Sequence, residues 1–195
     1  MAAVTGSHVE IVQALLRAGA DANVQDKDGL TALISATETG SMPIVKALID
    51  NKADVNAISN ASFSPLIVAS AHGHIDIVKL LLNNGAVVDM EHVDGVTALM
   101  YAAAGGHTAI CKLLIDKNAD VNKKHKQGGT AMLEAATNGT MAVVDLLLSA
   151  GADPLIVDDD GVTALMSSAS QGHVEICKLL VEKGVPVNKA AHSGG

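Results

Sequence analysis

Along this chain apolar positions gather in pairs. Ile77-Val78 is followed by Leu81-Leu82, and Ile110-Cys111 by Leu114-Ile115. Pairs four residues apart share one face of an α-helix, because a turn takes 3.6 residues. Each such helix is followed by a position suited to positive φ. Gly19, Gly85, Gly151 and Gly184 occupy it in four places, Lys52 and Asn118 in two others. Asn tolerates that backbone fairly well and Lys less readily, so a local cost is expected at Lys52. Upstream of each apolar face stands a hydroxyl residue: Thr31, Ser64, Thr97, Thr130 or Thr163. Such a hydroxyl can accept a hydrogen bond from a free N–H in the first turn of a helix. Ala or Pro follows, both compatible with a first helical position. This shorter helix is expected to stop near Gly40, Gly73, Gly106, Gly139 and Gly172, where glycine can take the left-handed conformation.

The signals are periodic. Asp28-Gly29-Leu30-Thr31-Ala32-Leu33 returns as Asp94 to Leu99 and as Asp160 to Leu165, with degraded copies at Ala61 to Leu66 and Gln127 to Met132. The spacing is 33 residues each time, without insertion. A fixed period of this length marks a solenoid, whose units bury their apolar faces against one another. The predicted fold is all-α, with helix, turn, helix and hairpin loop in each unit. Its units are residues 26–58, 59–91, 92–124, 125–157 and 158–190. Residues 1–25 hold the latter part of a unit. Ser193-Gly194 fall in the register of Asp160-Gly161, so residues 191–195 read as the start of a truncated further unit. Neither end carries a polar capping repeat, from which a longer native protein or docked ends are expected.

Five units in register resemble the ankyrin repeat over essentially the whole chain. The resemblance implies helix-turn-helix units joined by β-hairpin loops. It also implies a partner protein contacting the hairpin tips and the exposed side of the first helices. The family's Thr-Pro-Leu-His tetrapeptide keeps its Pro only at Pro65, and its His is replaced by Ile34, Ile67, Met100, Leu133 and Met166. The hydrogen bonds of that His must be lost or replaced here, while the apolar substitutes add burial. Ankyrin hairpin asparagines are sometimes hydroxylated, and Asn23, Asn56, Asn122 and Asn188 match that position, each with a Leu eight residues earlier. Support of the turn by their side chains is the favoured role.

Composition narrows the function. Apolar residues make up 49% of the chain, yet it has one Tyr, one Phe and no Trp, which suits thin layers of closely packed helices. A net charge of −8 argues against a nucleic-acid footprint. The stretch from Ser64 to Leu82 is among the most apolar, but it contains His72, His74, Asp76 and Lys79, so membrane insertion is not expected. The start lacks the basic and apolar regions of a secretory signal. Cys111 and Cys177 stand where other units place Val, which predicts buried, unpaired thiols and fits an intracellular, cytoplasmic setting.

Catalytic signals do not emerge. His74, His107 and His173 recur in the same turn, but repeats hold them roughly 10 Å apart per step, too far for shared coordination. Asp158-Asp159-Asp160 lacks the spaced ligands of a calcium loop and reads as a solvated tip. No phosphate-binding glycine loop, zinc-type cysteine spacing or nucleophile elbow is present. No enzyme activity, cofactor or metal is expected. The sequons at Asn60 and Asn138 read as accidental.

Binding is the remaining class. By register, the middle of the array places Phe63, Val93, Val96, Tyr101 and Ala104 on the expected contact surface. Phe63 and Tyr101 are the only aromatics of the Phe, Tyr and Trp class, and such residues often anchor interfaces. Lys123, Lys124 and Lys126 form a basic patch, and Asp158, Asp159 and Asp160 an acidic one in the next hairpin. The expected partner is a protein with an apolar centre and a complementary charge pair. A scaffold or adaptor fits best; a regulatory or targeting segment of a larger enzyme or channel, or a structural subunit of an assembly, is the alternative.

Overall fold

The computed structural model describes residues 1–188; the predicted start of a further unit at 191–195 lies outside them. The chain divides into two compact units, Met1–Val93 and Asp94–Gly195. The first contains α1 (Ala2–Thr5), α2 (Val9–Arg17), α3 (Ala32–Glu38), α4 (Met42–Asp50), α5 (Pro65–Ala71) and α6 (Ile75–Asn83). The second contains α7 (Ala98–Ala104), α8 (Thr108–Asp116), α9 (Ala131–Thr137), α10 (Met141–Ser149), α11 (Ala164–Ser170) and α12 (Val174–Glu182).

In each unit the short and long helices form two layers. In the first, α1, α3 and α5 stack in order, and α2, α4 and α6 stack beside them. In the second, α7, α9 and α11 form one row, and α8, α10 and α12 the other. The paired apolar positions fill the space between. Ile44, Val45 and Leu48 are 0–2% exposed in the first unit, as are Ile110, Cys111 and Leu114 in the second.

The local signals act as their chemistry dictates. Thr31, Ser64, Thr97, Thr130 and Thr163 each accept from the backbone N–H three residues on. Lys52 and Asn118 take φ of 66° and 65°, and Ser62 takes 62° where Gly29 and Gly95 stand in other repeats. The apolar residues in place of the tetrapeptide His are buried at Ile34, Ile67, Met100 and Leu133, while Met166 is half-buried. Most of the hairpins are turns; Val157 and Thr163 form an isolated antiparallel bridge.

One cysteine departs from expectation. Cys111 is buried, but Cys177, at the same register two repeats on, is half-exposed. Both thiols are free. Within its own unit α8, which carries Cys111, is followed by α10 packed against it, whereas α12 has no described outer helix stacked beyond it.

Candidate functional site

The hairpins are held side by side by repeating hydrogen bonds. Asn23 donates from Nδ2 to the Lys52 carbonyl (3.1 Å) and accepts at Oδ1 from the Asp54 N–H (2.7 Å). Asn56 makes the same pair with Gly85 and Val87, and Asn122 with Gly151 and Asp153. Nearer the tips, the backbone N–H groups of Asn60, Lys126 and Asp159 donate to the carbonyls of Asp28, Asp94 and Gln127. This close approach explains Gly128: a Cβ there would lie 2.9 Å from Asp158 Cα, and its φ is +80°. Each tip is also braced from within. Asp26 Oδ1 accepts from the N–H groups of Asp28 and Leu30, and Asp158 Oδ1 from those of Asp160 and Val162. Ser59 and His125 stand at this register and serve as acceptors for the Phe63 and Gln127 N–H groups.

The residues expected to bind a partner lie on these tips and the helices behind them. In the first unit Phe63 is half-buried, its ring 4.4 Å from that of His92 and tilted by 46°. Val93 beside it is 51% exposed. In the second unit Val96, Tyr101 and Ala104 are half-buried, and Lys124, Lys126, Asp159 and Asp160 are exposed. The two lysines differ, however. Lys124 Nζ donates to the Val157 carbonyl at 2.9 Å, as Gln25 Nε2 donates to the Ile58 carbonyl at the same register. Lys124 is therefore a strut between hairpins as well as a surface charge.

Three further groups join the second unit's face and were missed by pattern reading. Burial, followed by the negative charges of Asp94 and Glu134, raises the Tyr101 phenol above its ordinary range. Glu134 in turn lies 3.7 Å from His125 Nε2. Because His125 Nδ1 accepts from the Gln127 N–H (3.1 Å), the neutral form of the ring carries its proton on Nε2, facing that carboxylate. The ring lies over Gly129, where any Cβ would collide with it. The signal was available: Glu134 is Tyr101 plus one 33-residue period, and Gly129 replaces the larger side chain found at Leu30, Phe63, Val96 and Val162.

The histidines that recur in the turns are packing residues. His74 lies against Gly40 and His173 against Gly139, each in the preceding repeat, and His173 Nε2 donates to the Thr137 carbonyl at 3.0 Å. Among the described residues no group of three or more His, Cys, Asp or Glu is placed to hold a metal ion. No helix among them is long and apolar enough to cross a membrane.

Stacked helix pairs with hydrogen-bonded tips define a helical repeat protein of the all-α solenoid class. A family model described as ankyrin repeats in three copies matches residues 1–92 and 86–158, and a single ankyrin-repeat model matches residues 160–192. The chain belongs to the ankyrin-repeat family, whose repeats are in general modules for binding other proteins.

Proposed function

We propose that this chain is a non-catalytic scaffold or adaptor that binds a partner protein on its hairpin tips and first helices. The observation that supports it is the division of labour in the hairpins. Backbone groups and the Asn carboxamides join neighbouring hairpins within each unit, while Val93 in the first unit and Lys126, Asp159 and Asp160 in the second are exposed. Preordered tips lose little entropy on binding. Phe63 and Val93 supply the apolar contact in the first unit, and Val96 and Tyr101 in the second. Lys124 and Lys126, then Asp159 and Asp160, set the orientation of a partner with complementary charges.

Affinity capture with the full chain tests this, using Phe63→Ala, Tyr101→Ala and Lys126→Glu beside a control, Asp145→Ala, on the outer helix α10. A partner retained by the control and lost or weakened in the three hairpin-face variants is expected. Retention by all three, or loss only in the control, places binding elsewhere.

A further inference from the structure

The hairpin tips are braced by a side chain at one register, and the chemistry of that brace varies. Asp26 and Asp158 each accept two backbone N–H groups at a carboxylate oxygen, and Ser59 accepts one at its hydroxyl. His125 accepts with an imidazole nitrogen: Nδ1 receives the Gln127 N–H at 3.1 Å. Carboxylates and hydroxyls keep their lone pairs between about pH 5 and about pH 8, where histidine ordinarily changes charge. A protonated imidazole has no lone pair left to accept with, because both nitrogens carry hydrogen. The other edge of the ring faces a second group. Nε2 lies 3.7 Å from Glu134 Oε1 on α9, and the His125 side chain is 13% exposed, so a proton can reach a ring that is otherwise enclosed. His92 stands at this register too, with its ring on Phe63.

From this geometry we propose that His125 is a proton-operated latch on the tip formed by residues 125–128: neutral, it holds Gln127; protonated, it releases Gln127 and turns toward Glu134. The proton comes from water and adds to the Nδ1 lone pair. Nδ1–H then points at the Gln127 N–H, donor against donor, while the charged ring gains from the carboxylate facing Nε2–H. Gln127 is exposed, so water takes up the released N–H and the change costs little. The turn itself remains. The His125 N–H donates to the Gly129 carbonyl and the Gly128 N–H to the His125 carbonyl, both at 2.9 Å. What loosens is the link to the adjoining tips. The Gln127 carbonyl accepts from the Asp159 N–H at 3.0 Å, and the Lys126 N–H donates to the Asp94 carbonyl at 2.8 Å. Ionisable groups reach the latch from every element packed on it. Helix α9 brings Glu134, and α7 brings Tyr101, whose phenol lies in the field of both Asp94 and Glu134. The preceding tip brings Asp94, with Gly95 close against the His125 backbone, and the next brings Asp158 and Asp159 against Gly128. On its own tip Lys124 is drawn off to the Val157 carbonyl and Lys126 is exposed. The latch belongs to this chain alone and stands whether or not the tips bind a partner.

NMR of the full chain from about pH 8 to about pH 5 tests the proposal, with circular dichroism confirming that each variant is folded. The nitrogen shifts of the His125 ring should show a bare Nδ1 at the upper end and two protonated nitrogens at the lower. The Gln127 amide should shift with the same midpoint as the ring, and its protection against hydrogen exchange should fall roughly fivefold. Protection of the Asp159 amide should fall with it. His125→Asp installs the brace found at Asp26 and Asp158, so the Gln127 amide should stay protected across the range. His125→Ala should leave it unprotected throughout. Glu134→Gln should make the release require more acid. A Gln127 amide that stays fixed while the ring titrates overturns the proposal, as does a ring that keeps one charge state throughout. A Gln127 response unchanged in His125→Asp overturns it too, by assigning the sensitivity to another group, and an unmoved midpoint in Glu134→Gln overturns the turn toward that carboxylate.

Discussion

The Lys124 ammonium donates to the Val157 carbonyl oxygen at 2.9 Å, joining two hairpins of the second unit. Gln25 and Ile58 make the equivalent bond at 3.0 Å in the first unit, so the strut does not require a charge. Lys124→Gln should leave the melting temperature within about a degree of wild type. Lys124→Ala should lower stability by about 0.5–1 kcal/mol. Thermal unfolding by circular dichroism checks both. If the Gln variant binds a captured partner as wild type does, the charge of Lys124 has no part in recognition.

Asn56 serves two neighbours with one carboxamide, donating to Gly85 and accepting from Val87. Asn56→Ala removes both bonds and leaves two backbone groups to be satisfied by water. A loss of about 1–2 kcal/mol is expected. Asn56→Asp keeps the acceptor and loses the donor, so it should fall between the two. Urea unfolding of the three proteins gives the order directly.

The Tyr101 phenol is raised by burial first and then by Asp94 and Glu134. Its ionisation is therefore harder in the folded chain than in the unfolded one. The stability linked to it is fully present below the unfolded value near pH 10 and is lost as pH rises through the folded value. With one Tyr and no Trp in the chain, absorbance of the phenolate reports on this group alone. Glu134→Gln should move the titration midpoint down, toward the ordinary range; an upward movement would contradict the electrostatic cause.

Lys52 holds φ at +66° where Gly19, Gly85, Gly151 and Gly184 stand in four other repeats with φ between 86° and 88°. Relief of that backbone by Lys52→Gly should stabilise the protein by about 0.5–1 kcal/mol, net of the greater freedom glycine has when unfolded. The Lys52 carbonyl, which receives the Asn23 bond, is retained. A higher melting temperature is the expected result, and a lower one would show that the positive φ carries little strain here.

Burial pushes the Cys111 thiol up to about 12. Thiolate is the reactive form, so Cys111 should resist a thiol reagent at neutral pH until the protein unfolds. Cys177 is half-exposed and should react first. Mass spectrometry of the native protein after brief treatment with iodoacetamide should find the label at Cys177.

The sequence by itself determined the period, the helix caps and the positions of left-handed backbone. These depend on short-range rules. A hydroxyl three residues before an N–H, or a glycine after a helix, has the same consequence in every unit, as Thr31 and Thr163 show. Which residues stand on the hairpin tips was partly legible too, because register assigns a side of the repeat. Only the tertiary structure decided how those residues are used. Lys124 and Lys126 are two positions apart and equally basic in the sequence, yet only the first has a described side-chain bond to the next hairpin. Cys111 and Cys177 have the same local context, Ile before and Lys-Leu-Leu or Lys-Leu-Leu-Val after. One is buried and the other half-exposed, since cover in a solenoid comes from a neighbour 33 residues away and not from the residue's own helix.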